Sequence, residues 1–348
     1  MAWWQFAAKK GRERGAAGID LSPSGAKGVM LRGRSQRPMV AAAAVVPFEP
    51  QWYGTAGIAQ PAAVAKALAA LCQQLGRVQA ITLALPDAAV IQRTVDLPAG
   101  LSEREEEELV FDELARMSPF PVEELQADWC RIGPGRTPES ERWMIVAARQ
   151  ERVEALQLVA ETAGVHLVHV DVASLALRRA VWRVGLLEGS VVVVDGGDEA
   201  IELTLWQQGE KRFERTQGFE ANRLLRDLTR LLRDSAAAQR VLAEGRWDET
   251  ARSQVLQPFL TKFAFEVANL IKVLQSAVDG LPTIDRIVLT GGIAALPGVV
   301  DAVQSMVTPP VVCCDPWRGA TLSDAVRPLA PLGTRFALAT GLAWREVG

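Results

Sequence analysis

The sequence AAGIDLSPSGAKGVMLRG, residues 16–33, has the pattern of two β-strands joined by a turn. An apolar run ends at Asp20, small residues and a proline follow, and a second apolar run returns, as in a β-hairpin. Residues 190–209, SVVVVDGGDEAIELTLWQQG, repeat this plan with Asp195 at the strand end and Gly196 and Gly197 in the turn. The chain therefore contains two similar hairpins about half its length apart.

Each hairpin leads to one further strand with a turn, QAITLALPDA (79–88) in the first half and IDRIVLTGGIAALPG (284–298) in the second. This weak internal duplication predicts an α/β protein of two lobes, each built from a hairpin and a βαβ unit. We expect the first lobe at 16–186 with an inserted subdomain at about 86–148, and the second at 187–334 with a helical insertion at about 206–280. A helix in 335–348 is expected to return to the first lobe.

The composition excludes several classes of protein. The formal net charge of −3 argues against a nucleic-acid-binding surface. No run of 18 apolar residues occurs, so we expect no membrane-spanning helix. Four scattered cysteines and two histidines are too few for a disulfide framework and poorly suited to a zinc site, so a reducing cytoplasm is the expected compartment.

Three segments are predicted to be helical. Residues 97–121 have a capping box in Ser102 and Glu105 at the helix start. Residues 219–234 place leucines on one arc and a stripe of arginines opposite, which indicates either a solvated face or a surface for an acidic partner or lipid. Residues 258–278 carry apolar residues at helical spacing and are expected to be core.

The first fifteen residues combine aromatic and basic side chains. This composition suits the headgroup region of an anionic membrane, and equally a frayed terminus. The residues concerned are Trp3, Trp4, Phe6, Lys9, Lys10, Arg12 and Arg14.

The two hairpin turns contain the residues that suggest a ligand-binding site. A strand-end aspartate followed by small residues offers a carboxylate near a cation and backbone amides near phosphate oxygens, which is what a metal-bound triphosphate requires. Two such turns facing each other would hold a nucleotide between the lobes. Gly291 and Gly292, after the strand RIVLT, would let the backbone approach a flat ligand.

The order of these segments resembles the five-part nucleotide-binding pattern of the actin, Hsp70 and sugar kinase superfamily. Within that superfamily the chain resembles the PilM family of type IV pilus assembly proteins, with MshI proteins and the cytoplasmic domains of type II secretion L proteins as cousins. The resemblance covers about 16–346. It is carried by segments including GIDLSPSGAKGVML, ELARMSPFPVEELQADW, LTGGIAALPGV and FALATGLAWRE.

The resemblance implies an actin-like fold whose extra subdomain is placed as in the cell-division protein FtsA. It implies a cytoplasmic scaffold of the pilus machine, peripheral to the inner membrane, that binds the N-terminal tail of a PilN-type protein. A ring homo-oligomer and a motor ATPase as a further partner are part of this expectation. Carried over by position, ATP with Mg²⁺ would contact Asp20, Ser22, Ser24, Lys27, Asp195, Gly196, Gly197, Glu266, Gly291 and Gly292, with Asp20 and Asp195 near the metal.

The chain departs from the family pattern at these positions. Ser22 stands where a glycine is usual, and Pro23 removes an amide donor from the cradle. Asp198 and Glu199 replace hydroxyl residues of the second turn, and the helix has Asn269 and Leu270 where Arg and Ser are usual. Nucleotide binding therefore stays open at this stage.

Two classes of function follow, and a third interpretation, a structural protein of another filament system, rests on the fact that actin-like folds polymerise. The chain is an adaptor between the motor and the membrane platform, or it is an active ATPase or small-molecule kinase of the same superfamily. An enzyme would need a base to orient the attacking group, and no residue stands out for that role, which favours the adaptor. For the partner peptide we expect a groove near Phe111, Met117 and Phe120, with ordinary core packing of these side chains as the alternative.

Overall fold

The computed structural model describes residues 16–34, 37–49, 51–54, 57–278, 280–281 and 283–345. The aromatic and basic segment of residues 1–15 lies outside them. Within the described residues, no helix is both long enough and apolar enough to cross a bilayer.

The first half of the chain contains two larger sheets, a two-stranded sheet formed by Tyr53–Gly54 and Gly57–Ile58, and the helices that cover the larger sheets. In chain order its elements are β1 (Ala17–Ser22), β2 (Gly25–Arg34), β3 (Arg37–Pro47), β4 (Tyr53–Gly54), β5 (Gly57–Ile58), α1 (Pro61–Gln74), β6 (Ala80–Leu85), β7 (Val90–Pro98), α2 (Glu103–Met117), β8 (Leu125–Pro134), β9 (Ser140–Arg149), α3 (Gln150–Thr162), β10 (His166–Val172) and α4 (Ala173–Arg183).

The second half contains one sheet, a group of helices, and a return to the first half. Its elements are β11 (Ser190–Gly196), β12 (Ala200–Gln207), β13 (Glu210–Gly218), α5 (Asn222–Leu232), α6 (Ser235–Glu244), α7 (Glu249–Ala251), α8 (Gln257–Ala277), β14 (Arg286–Gly291), α9 (Val299–Gln304), β15 (Val311–Cys313), β16 (Thr321–Leu322) and α10 (Ala337–Ala343).

The two main sheets repeat one design. The strand order is β10-β6-β1-β2-β3-β16 in the first lobe and β13-β12-β11-β14-β15 in the second. In each, the central strand β1 or β11 pairs antiparallel with its hairpin partner and parallel with β6 or β14. The duplicated lobes predicted from the two hairpins are confirmed.

The inserted piece is a separate three-stranded antiparallel sheet, β7-β9-β8, covered by α2. The predicted capping box is present, because Ser102 accepts from the Glu105 amide while Glu105 accepts from the Ser102 amide. The helix covers Glu103–Met117, which is shorter than the predicted 97–121, because β7 continues to Pro98.

The predicted helical insertion at about 206–280 is wrong at its start, since Glu210–Gly218 forms strand β13 on the sheet edge. This strand contains few apolar residues and many charged ones, as strands at the edge of a sheet commonly do. Helix α5 then begins at Asn222 and ends where Arg233 takes a left-handed conformation, φ 53°. The third predicted helix is confirmed as α8, whose buried residues pack on the second sheet.

Helix α10 packs against β1 and α4 with backbone in close approach. A Cβ at Gly341 would overlap the carbonyl oxygen of Ala176, and one at Gly18 would overlap that of Ala339. These glycines allow the helix to lie directly on the first sheet.

We therefore expect Gly341→Ala to lower the free energy of unfolding by about 1–3 kcal/mol, since the added methyl cannot be placed without moving α10 or α4. Urea denaturation of the folded protein measures this. Gly218→Ala is the control, because nothing lies within 4 Å of its added methyl. Equal stabilities of the two variants would contradict the close packing.

Candidate functional site

The two hairpin turns meet in the cleft between the lobes. The Ser24 amide of the β1–β2 turn donates to Asp198 Oδ2 of the β11–β12 turn at 3.3 Å. The structure thus brings together the two turns that the sequence analysis identified separately.

In the first hairpin, Asp20 is paired with Lys27. The two residues are register partners across β1 and β2, and Lys27 Nζ lies 3.0 Å from Asp20 Oδ2 and 3.1 Å from Ser22 Oγ. Their side chains are 15% and 11% exposed for Lys27 and Asp20. Burial alone would lower the pKa of Lys27, but the nearby carboxylates, with Asp20 foremost, raise it above its usual value. Lys27 is therefore held as a cation in the cleft.

In the second hairpin, Asp195 has a neutral partner. The parallel register places Asp195 beside Thr290, whose hydroxyl donates to Asp195 Oδ1 at 2.7 Å. Burial raises the pKa of Asp195, while this hydrogen bond acts in the opposite direction. The two aspartates thus occupy equivalent positions and have different partners.

Gly291 is required by the geometry behind Asp195. Its φ is +86°, and a Cβ there would lie 2.6 Å from both Asp195 Oδ1 and the Gly196 carbonyl oxygen. Gly196 in turn faces Ile293, which a Cβ would approach to 2.8 Å. The Gly197 amide donates within its own turn to the Ala200 carbonyl at 3.0 Å. Gly292 has open space at its Cβ position.

A second cluster in the cleft was missed by the sequence analysis. Asp87 follows β6 and joins Lys211 of β13, with Asp87 Oδ1 and Lys211 Nζ 2.8 Å apart. Ser174 of α4 donates to Asp87 through both its hydroxyl and, at 2.8 Å, its amide. Glu214 lies 2.6 Å from Lys211 Nζ. This network spans the two lobes with a largely buried ion pair.

Glu202 was missed too. It is the register partner of Asp195 across β11 and β12, and with Ser174 and Trp206 it lines a small cavity in the cleft. Burial raises the pKa of Glu202 to about 8, and the negative charges of Asp195 and Asp87 add to this. At neutral pH this side chain therefore carries a proton.

The remaining candidate residues are dispersed. Glu266 is half-buried on α8, and among the described residues no hydrogen bond or ion pair joins it to either hairpin. Phe111 packs edge to face on Trp129 at 6.3 Å, and both contact the core of the inserted sheet, as Met117 does. Phe120 is 39% exposed, with the Arg149 guanidinium 4.9 Å from its ring centre. Core packing thus accounts for Phe111 and Met117 and does not account for Phe120.

The cleft fits magnesium and phosphate unequally. Asp20 and Asp195 supply carboxylates of the kind that hold Mg²⁺ together with phosphate oxygens. Among the described residues, however, no three acidic, cysteine or histidine side chains converge on one point. The phosphate donors are engaged by the chain itself, since Ser24 N donates to Asp198, Gly197 N to Ala200, and Lys27 to Asp20. As arranged, the two turns do not fit a triphosphate.

We expect Gly291→Ala to lower the free energy of unfolding by about 2–4 kcal/mol, because the methyl meets Asp195 and Gly196 in a strained conformation. Gly292→Ala is the matched control, with φ −66° and open space, and should be neutral or stabilising by up to about 1 kcal/mol. Thermal and urea unfolding measure both. Equal losses in the two variants would rule out the close approach at Gly291.

The proton on Glu202 predicts a pH dependence. The folded chain keeps this proton up to about pH 8, whereas an unfolded glutamate releases it near pH 4.5. The folded state therefore binds more protons in this window, and the free energy of unfolding should fall as pH rises from about 4.5 to 8, by up to about 1.4 kcal/mol per unit.

Urea denaturation at a series of pH values tests this dependence. Glu202→Gln should remove most of this slope, while Glu139→Gln, at an exposed position, should retain it. A slope unchanged in Glu202→Gln would show that Glu202 does not hold the proton.

Comparison with known proteins identifies the family. The model of the family described as "Type IV pilus assembly protein PilM" matches residues 18–347. A solved "PilM-PilN type IV pilus biogenesis complex" contains a chain 25% identical to this one, with TM-score 0.77, covering 97% of this chain and 100% of that one.

Two more distant structures show the shared fold. The ethanolamine utilization protein EutJ from Carboxydothermus hydrogenoformans has TM-score 0.54 and 16% identity over 94% of this chain and 89% of that one. MreB5 of Spiroplasma citri bound to ADP has TM-score 0.50 and 13% identity over 95% of each. The expected actin-like fold is confirmed. The chain belongs to the PilM family of type IV pilus assembly proteins.

Proposed function

We propose that this protein is a cytoplasmic scaffold of a type IV pilus assembly machine, peripheral to the inner membrane, that docks to the membrane platform through the N-terminal tail of a PilN-type protein. The observation that carries this is the match to a chain of a solved PilM-PilN complex over nearly the whole length of both chains. The likeness includes the inserted sheet, so any docking surface there belongs to the matched region.

The tail is proposed to bind where the inserted sheet meets the first lobe. Phe120 leaves an aromatic ring exposed at this place, and Arg149, at the end of β9, lies over it. Strand β8 is an outer strand of its sheet and starts at Leu125, close to Phe120 along the chain. An extended peptide can pair with such a strand and place an apolar side chain against an exposed ring. Phe111 and Met117 support the ring from the core side in this proposal.

A ring of several copies and contact with a motor ATPase belong to the same proposal. The arginine stripe on α5 is left out of this proposal, because two acidic residues of the chain, Asp227 and Glu220, already pair with three of its arginines. Arg223 and Arg230 both contact Asp227, and Arg226 lies 2.8 Å from Glu220. We propose a solvated face for this helix.

Hydrolysis is not part of the proposed function, and a nucleotide would act as a modulating ligand only by displacing contacts that close the two turns. Binding of a triphosphate would have to replace the Ser24–Asp198 and Lys27–Asp20 contacts. Since both are made by the chain itself, the scaffold can hold its two lobes together without turnover.

We expect Phe120→Glu to weaken binding of a peptide copied from the PilN-type tail by at least about tenfold, because a charge replaces an apolar contact at the centre of the proposed site. Fluorescence anisotropy with a labelled peptide measures this. Phe265→Glu is the matched control, since Phe265 is an exposed phenylalanine (55%) on α8 of the second lobe.

The same titration separates the adaptor from an enzyme that needs bound nucleotide. Asp195→Ala should keep the affinity of the wild type for the peptide. If Phe120→Glu binds as tightly as the wild type, the tail binds elsewhere. If the wild type does not bind the peptide at all, the adaptor proposal is wrong.

A further inference from the structure

We propose that Asp198 acts as a built-in anion in the place of a phosphate group, so that the cleft between the lobes closes on the charges of the chain itself. The inference concerns how the lobes are joined, and it does not require that the protein bind a PilN-type tail. Asp198 would then be the residue that decides whether the first hairpin accepts a phosphate.

The first hairpin offers one amide to a ligand at its turn. The turn consists of Pro23 and Ser24, between β1 and β2. Pro23 has no N–H, so Ser24 carries the donor of the turn. The Ser24 amide donates to Asp198 Oδ2 across the cleft at 3.3 Å, although the two residues are far apart in the sequence. A carboxylate oxygen accepts there just as a phosphate oxygen would.

Asp198 is held in position by its own backbone. Its carbonyl accepts from the Ala221 amide at 3.0 Å, and the neighbouring Gly197 amide closes the turn on Ala200. The side chain is half-buried between the hairpins. The carboxylate is therefore presented to Ser24 by a fixed turn, in contrast to Glu199, which is exposed.

The cationic half of the arrangement is Lys27. Its ammonium lies 3.0 Å from Asp20 and is also close enough to Asp195 and Asp198 for their charges to favour its protonated form. A metal ion accompanying a triphosphate would lie near the same carboxylates. The chain thus supplies both a positive charge for its aspartates and a negative charge for its turn amide.

Other contacts hold the lobes in this arrangement. The Asp87–Lys211 pair joins the end of β6 to β13 at 2.8 Å, and Arg142 of the inserted sheet lies 2.5 Å from Glu210 of the second lobe. None of these side chains belongs to the two hairpin turns. They join the two lobes independently of the Ser24–Asp198 contact.

The test is a comparison of wild type, Asp198→Asn and Glu199→Gln. Each variant removes one negative charge from the same turn, and only Asp198 contacts the first hairpin. Calorimetry with Mg-ATP should show at least about tenfold tighter binding to Asp198→Asn than to wild type or Glu199→Gln, since a charge-assisted bond no longer competes for the amide.

Hydrogen exchange gives a second readout without nucleotide. The Ser24 amide should exchange about tenfold faster in Asp198→Asn than in the other two proteins, because it loses a charged acceptor. Asp198→Ser replaces Asp198→Asn if the latter does not fold, and should behave in the same way. Neither measurement involves the peptide, so a failure of this inference can be told apart from a failure of the docking proposal.

Three results would overturn the inference. One is equal Mg-ATP affinity, or equal lack of affinity, in wild type and both Asp198 variants. Another is a gain in Glu199→Gln as large as that in Asp198→Asn, which would mean that only the total charge matters. The third is unchanged exchange of the Ser24 amide when Asp198 is replaced.

Discussion

Both lobes depend on the same constraint, which is the need of a buried strand-end carboxylate for a partner. The central strand of each sheet has a hairpin partner on one side and a parallel strand on the other, so the aspartate near its end is withdrawn from water. A charged group in such a place is tolerated only when it is paired or hydrogen-bonded. Asp20 meets this need through Lys27, and Asp195 through Thr290.

The unequal partners make the two lobes complementary. The first lobe has a cation, Lys27, beside its aspartate, whereas the second has a hydroxyl beside Asp195, a protonated Glu202 and the carboxylate of the half-buried Asp198. The charges of Asp195 and Asp198 on one side of the cleft face Lys27 on the other. Attraction between the lobes therefore comes from this difference between two otherwise repeated units, together with the Asp87–Lys211 and Arg142–Glu210 ion pairs. Such an internal source of closure would suit the scaffold role proposed above.

Local patterns in the sequence were sufficient for the hairpins, the capped helix α2, the core helix α8 and the duplication. Each of these depends on apolar periodicity and on turn residues close together in the chain. The Asp87–Lys211 pair could not be found in this way, because its residues are brought together only by the tertiary structure. Of these two residues, only Asp87 could have been suspected from the sequence. It follows the buried strand β6, much as Asp20 and Asp195 lie near the ends of β1 and β11. The edge strand β13 was missed because its charged sequence resembles that of a solvated helix, and Glu202 because a single acid in an apolar strand does not reveal what lies opposite.

The contacts of α10 and β16 have a consequence for synthesis. Strand β16 pairs with β3, and α10 packs on β1 and α4, so residues near position 320 and beyond complete the sheet that begins at Ala17. Proteins made on the ribosome usually fold from the N-terminal domain onward. Here the edge strand β16 and the helix α10 of the first lobe come from the segment translated after the second lobe, so the N-terminal lobe lacks both until that segment is made. The first hairpin therefore gains its contacts with α10 only after the second hairpin has been translated.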